Sequence, residues 1–128
     1  MVQQITKGIL ITVKTVYNGI IYRGYIQHHA FSYFITIKNT SKQSVQLLER
    51  FWSIFDSLNN TEYVEGEGVV GQTPIIKPNQ EYNYRSNCFL ISAIGAMSGH
   101  YKMINTQTNE EFLVKIPTFQ LITSPSLN

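Results

Sequence analysis

Only one cysteine, Cys88, occurs in the 128 residues, so no intramolecular disulfide can form and a disulfide-pinned secreted scaffold is excluded. Charged residues make up just 14% of the chain, against roughly 25% in an average soluble domain. Ten Lys and Arg oppose eight Asp and Glu, for a net charge of +2. Lys38 and Lys42 are the one close basic pair, and the other cations are scattered along the chain. A phosphate-tracking surface needs several cations on one face, so no nucleic-acid partner is expected. No apolar run approaches the roughly 20 residues that span a bilayer. The start, Met1-Val2-Gln3-Gln4-Ile5-Thr6-Lys7, has neither the basic nor the apolar region of a signal peptide. The expectation is a cytoplasmic protein with no membrane partner. Helical periodicity is missing too, since no stretch of ten or more residues repeats its apolar positions every 3.6 residues.

What the chain does contain is β-forming. Sixteen Ile, eight Val and eleven Thr make 35 β-branched residues, and eight Tyr, seven Phe and one Trp add sixteen aromatics. Both groups favour a pleated, half-buried surface. A hydrophobic content of 43% argues against disorder. A length of 128 residues fits one domain, and a chain of this size buries roughly two-thirds of its unfolded surface. No disulfide or metal is needed to close such a core.

The apolar period is 2 along most of the chain. Ile9, Ile11, Val13 and Thr15 alternate with Leu10, Thr12 and Lys14, predicting a first strand that Asn18-Gly19 and Arg23-Gly24 interrupt. The stretch from there to His29 reads as a long loop with a short strand. Phe31, Tyr33, Ile35 and Ile37 line one face of the next strand, which Asn39-Thr40-Ser41-Lys42 turns. From Val45 to Asp56 apolar residues fall on both parities, suggesting a central strand covered on each side, with a short helix as the weaker alternative. A short strand begins at Tyr63-Val64 and runs into Glu65-Gly66-Glu67-Gly68-Val69-Val70-Gly71. Tyr82, Tyr84 and Ser86 mark a further strand, and Met97, Tyr101 and Met103 another. Phe112, Val114 and Ile116 form one that Pro117 ends, with Phe119 and Leu121 as a separate edge segment. Seven to eight short strands predict an antiparallel β-sandwich, with a small barrel as the alternative. The domain is expected over residues 1–122, with a frayed tail over 123–128.

Gly66-x-Gly68-x-x-Gly71 matches the dinucleotide fingerprint, whose mechanism requires a helix to open at its end. Pro74 and Pro78 follow closely and exclude that helix. What survives is a glycine-rich loop between strands, either a bulge or turn or an anion-binding nest. Glu65 and Glu67 lie inside it and no Lys or Arg does, which disfavours a phosphate. Those two carboxylates, two residues apart, would share a face and could hold a hard cation weakly. His28, His29, His100, Cys88 and Asp56 fall at no metal-binding spacing, and adjacent His28 and His29 would point to opposite faces of a strand. No nucleophile elbow or His-centred dyad is present. Asp56 is the single aspartate and reads as a turn residue, while Cys88 reads as a small buried hydrophobe.

From Phe31 onward the chain resembles the ApaG family. The resemblance is carried by Phe31-x-Tyr33-x-Ile35-x-Ile37-x-Asn39, by Val45-Gln46-Leu47-Leu48-x-Arg50-x-Trp52, and by Glu65-Gly66-Glu67-Gly68-Val69-Val70-Gly71-x-x-Pro74. Pro78, Tyr84-x-Ser86, Cys88, Gly95-x-Met97-x-Gly99-x-Tyr101 and Ile116-Pro117-x-Phe119-x-Leu121 complete it, over about 90 residues. Three positions depart from the family pattern: Phe51 stands for the usual His, and Asn79 and Asn87 for usual Gly. Asn tolerates the left-handed turn conformation that Gly favours. The resemblance implies an immunoglobulin- or fibronectin-III-like sandwich and a non-enzymatic binding module without cofactor, associated with cobalt resistance and magnesium efflux. A protein partner is expected at Glu65, Gly66, Glu67, Gly68, Val69, Val70 and Gly71, because Val69 and Val70 cannot both be buried easily in such a loop. A small ligand, a divalent cation, or an anion or nucleotide on the same loop is the alternative. The oligomeric state is left open between monomer and weak homodimer.

Overall fold

The computed structural model describes residues 1–123. Among the described residues there are nine strands: β1 (Val2–Thr6), β2 (Ile9–Arg23), β3 (Ile26–Asn39), β4 (Val45–Asp56), β5 (Glu62–Glu67), β6 (Ile75–Ile76), β7 (Glu81–Leu90), β8 (Ile94–Asn105) and β9 (Glu111–Ile122). They form two antiparallel sheets, one in the order β1-β2-β3-β7 and the other β5-β4-β8-β9, with β6 paired to β4. This is the expected all-β sandwich, with two more strands than the shorter prediction. The tail expected after residue 122 falls, from Ser124 on, outside the described residues.

The core is the period-2 set of both sheets. Ile9, Ile11 and Val13 of β2 and Phe31, Tyr33, Ile35 and Ile37 of β3 are buried against Leu47, Trp52, Met97, Tyr101, Met103, Val114 and Ile116 of the second sheet. Tyr33 meets the edge of Trp52 at 5.4 Å, and Trp52 meets Phe119 at 5.9 Å and 88°. Such edge-to-face aromatic pairs add about 0.5–1.5 kcal/mol each beyond the area they bury. Met97, Tyr101 and Met103 all point inward, as their shared parity predicts.

Three β-bulges account for the places where the sequence reading and the fold part. In β4, Leu47 faces Met103 and Glu49 faces Lys102, leaving Leu48 as the extra residue. The inward set therefore changes from Val45 and Leu47 to Trp52, and apolar residues occupy both parities although only one face meets the core. Coverage on both sides is thus corrected, and so is the interruption of β2 at Asn18-Gly19. There the pairing jumps from Tyr17 to Gly19 and continues to Arg23, where a two-residue turn, Gly24-Tyr25, leads back into β3. The expected long loop is a long β-hairpin arm. In β9 the register jumps between Met97 and Gly99 of β8, so Pro117 and Thr118 together oppose Ser98. A bulge needs no ladder hydrogen bond from the proline nitrogen, and the strand runs through Pro117 to Ile122 instead of ending there.

Two connections use side-chain oxygens. Asn39 is fully buried, donating to the carbonyls of Gln43 and Ile76 at 2.8 and 2.9 Å and accepting from Ser41 N–H at 2.9 Å. The carboxylate of Asp56, at the end of β4, accepts from the N–H groups of Leu58, Ile91 and Ser92 at 3.2, 2.7 and 3.2 Å. It thereby ties the β4–β5 turn to the β7–β8 connection. Burial acts to raise the Asp56 pKa, but hydrogen bonds from Ser92, Ile91 and Leu58 outweigh it and hold the carboxyl below its ordinary value. Among the described residues no helix is long and apolar enough to cross a membrane.

Candidate functional site

The residues singled out in the sequence divide between a strand and a turn. Glu65, Gly66 and Glu67 end β5, with Glu65 opposite Phe51 and Glu67 opposite Glu49 on β4. Gly68 then leaves the sheet with φ +61 and donates to the Leu48 carbonyl at 2.7 Å. The bulge on β4 thus anchors the loop. Val69 and Gln72 exchange two backbone hydrogen bonds, of 2.8 and 2.9 Å, around a two-residue turn made by Val70 and Gly71.

Arg50 braces the loop from within the second sheet. One guanidinium nitrogen donates to the Glu67 and Gly68 carbonyls, both at 3.0 Å. A Cβ on Gly66 would come within 3.0 Å of that guanidinium, and a Cβ on Gly68 would sit 2.1 Å from the Gln72 carbonyl oxygen. Packing accounts for Gly66 and Gly68, whereas Gly71 has open space around it and is favoured by its φ of +77. The N–H groups of Gly68, Val69 and Gln72 are already given to protein carbonyls, which leaves few for an anion.

The two valines separate as expected. Val69 is fully buried, whereas Val70 is 62% exposed. Val70 also has φ +47, where a β-branched side chain is a genuine outlier costing about 1–3 kcal/mol. The strain is stored at the most apolar exposed point of the loop.

Glu65 and Glu67 line a cleft of about 690 Å³ together with Glu49, Gln46, Phe51 and Thr73. Glu49 is a third carboxylate that sequence distance concealed, since only the β4–β5 register brings it beside Glu67. Among the described residues no group of three or more His, Cys, Asp and Glu is arranged to hold a metal ion.

The remaining reactive side chains have structural partners. Burial, with the charges of Glu62 and Asp56, pushes the Cys88 thiol up to about 12, so it is a buried neutral thiol at physiological pH. His29 hydrogen-bonds the Tyr17 hydroxyl at 2.8 Å, and His28 contacts the Ile26 carbonyl at 3.1 Å. His100 stacks on Phe51 at 4.6 Å and 24°, so the residue in place of the family's histidine joins an aromatic pair across β4 and β8. Between the sheets the Tyr84 and Tyr101 hydroxyls are hydrogen-bonded. Burial pushes the pKa of Tyr33, Tyr84 and Tyr101 upward. Of the two Asn-for-Gly positions, Asn79 has φ +67 and fits the left-handed argument. Asn87 lies in β7 opposite Ser32 with no positive φ; there the argument fails, because the strand is extended.

A two-sheet antiparallel sandwich with a braced glycine loop, and with its histidines, cysteine and aspartate in structural roles, defines a small β-sandwich domain of the immunoglobulin-like kind. The ApaG domain family model matches residues 22–105. Protein ApaG of Vibrio campbellii is 46% identical over 103 residues, covering 80% of this chain and 81% of that protein. Protein ApaG of Proteus mirabilis is 41% identical over 102 residues, covering 80% and 81%. The X-ray structure of a Northeast Structural Genomics Consortium target superposes with a TM-score of 0.87 at 38% identity, covering 94% of this chain and 90% of that one. An ApaA protein from Bordetella pertussis gives 0.81 at 29% identity, covering 92% and 95%. The chain belongs to the ApaG family.

Proposed function

We propose that this ApaG-family domain is a non-enzymatic binding module whose 65–71 loop engages a protein partner. The observation that carries the reading is Val70, an exposed β-branched side chain held at φ +47 by a closed turn. Strain that persists where Asn would relieve it is the signature of a residue kept for its surface. The loop beneath is rigid, fixed by Arg50 and by the Leu48 carbonyl, so little ordering entropy opposes docking. The structural engagement of Asp56, Cys88 and His29 supports a role without catalysis. Cobalt resistance and magnesium efflux, associated with the family by resemblance, would then be influenced indirectly, through the partner.

The test is quantitative recovery of partner proteins on immobilised domain, comparing wild type with Val70→Asn and Gly68→Arg. Val70→Asn keeps the turn, relieves the strain and removes the apolar side chain, so recovery falls while thermal stability rises. Undiminished recovery by the folded variant would sink the reading. Divalent-cation sensing at Glu65 and Glu67 is the second reading, favoured only by the adjacent Glu49. Titration calorimetry with cobalt and magnesium against Glu65→Gln/Glu67→Gln decides it, and no saturable heat at millimolar metal removes it.

A further inference from the structure

The scattered cations of the sequence are gathered by the fold. The first 48 residues contain no Asp or Glu, and three of their strands lie side by side with β7 in the first sheet. The strands of that sheet carry Lys14, Arg23, Lys38 and Arg85 against one carboxylate, Glu81, whereas those of the second carry six carboxylates and three cations. Among the described residues the one ion pair, Lys102–Glu111, belongs to the second sheet. None of the four cations of the first sheet takes part in an ion pair among the described residues, although Lys38 stands opposite Glu81 in the β3–β7 register.

On the outer face of this sheet the cations alternate with aromatic rings. Lys14, Phe34 and Arg85 form one cross-strand row, with the Arg85 guanidinium 5.7 Å from the Phe34 ring centre. Four residues along, Phe89 carries Arg23 at 5.2 Å. At about 3.3 Å per residue the two rings are roughly 13 Å apart along the strands. Both are open to solvent, Phe34 at 37% and Phe89 at 39%. Near and between the two rings, Asn83 accepts from Thr36 at 2.6 Å and Asn87 from Ser32 at 3.0 Å. Those bonds fix each amide oxygen and leave its NH₂ group to donate.

We propose that the outer face of the β1-β2-β3-β7 sheet is a platform for single-stranded RNA. Phe34 and Phe89 stack bases, Lys14, Arg23, Lys38 and Arg85 face phosphates, and Asn83 and Asn87 donate to ribose 2′-hydroxyls. The charge complements a polyanion, and exposed rings bearing guanidinium groups suit bases better than they suit the carboxylates of an acidic peptide. The surface lies on the sheet opposite the one bearing the 65–71 loop, so the two proposals stand or fall separately.

Fluorescence anisotropy with a labelled oligo-uridine of about twelve nucleotides tests it, across a salt series. Phe34→Leu and Phe89→Leu, which keep the charge, are expected to weaken binding about tenfold each. Lys14→Gln and Arg85→Gln should weaken it and flatten the salt slope by about 0.7 per cation, while Lys115→Gln on the other sheet changes neither. Thermal melts confirm that each variant is folded. Absence of binding at low salt overturns the proposal. Insensitivity to the Phe substitutions, with displacement by polyglutamate, overturns it in favour of an acidic protein partner. Equal affinity for oligo-thymidine overturns the assignment to RNA.

Discussion

Two turns of this molecule share a backbone geometry and differ in chemistry. Lys7-Gly8 joins β1 to β2 with φ +49 and +82, and Val70-Gly71 closes the second loop with φ +47 and +77. In each, the flanking residues pair directly, Thr6 with Ile9 and Val69 with Gln72. Positive φ at both central residues is what a two-residue hairpin turn requires, and Asn-Gly is its preferred sequence. An unbranched Lys departs mildly from that preference, whereas Val departs severely. The first turn is tied at Gly8, whose carbonyl accepts from the Thr40 N–H at 2.8 Å and the Thr40 hydroxyl at 2.7 Å. The second is held at its base, by Arg50 on the Glu67 and Gly68 carbonyls, and there the chain carries a residue that its own dihedrals disfavour.

Substitutions can break or sharpen that contrast, and the largest effect lies at a connection held entirely from outside. Asp56→Ala leaves the N–H groups of Leu58, Ile91 and Ser92 unanswered and is expected to cost about 3–5 kcal/mol by chemical denaturation. Acid should reproduce part of the loss. The Asp56 pKa is lowered on folding, so its contribution is fully present above the unfolded value of about 3.9 and disappears as pH falls through the lower folded value. An acid transition unchanged in Asp56→Asn would contradict this.

Gly68→Ala comes next, at about 3 kcal/mol, because its Cβ meets the Gln72 carbonyl as well as an unfavourable φ. Gly71→Ala has open space around it and should lose only the conformational term, about 1–2 kcal/mol. Equal losses at the two positions would mean that the loop relaxes and is not braced. Val70→Asn is expected to gain about 1 kcal/mol, seen as a higher melting temperature. Lys7→Asn, at the matched turn, should gain a few tenths. The ratio of the last two measures the strain specific to the second turn.

Much of the first sheet was legible in the sequence, because Phe31 to Ile37 alternate without a break and alternation is the pleat itself. The misreadings cluster at bulges. Asn18, Leu48 and the Pro117-Thr118 pair each insert a residue, and a change of parity looks like a strand end or a second buried face when one chain is read alone. The Gly66-Gly71 loop is legible from its glycines, and two adjacent valines in it signal that both cannot be buried, without signalling which one is exposed. Arg50 and Glu49 were not attached to it, because each reaches the loop across a strand pair with no local signal. Nor was the cationic face assembled, although the absence of acids before Glu49 was there to be counted.

By itself the sequence determined the class of fold, since 35 β-branched and sixteen aromatic residues at period 2 can bury their surface only in sheets. A single cysteine determined that no intramolecular disulfide contributes to holding the domain together. Which residues meet was decided by tertiary structure. Register is set by pairing across strands, and pairing placed Arg50 under the loop, Asp56 beneath the Ile91-Ser92 turn, and Lys14, Phe34 and Arg85 in one row. A near-neutral total conceals two faces of opposite sign, because charge adds along a chain but acts across space.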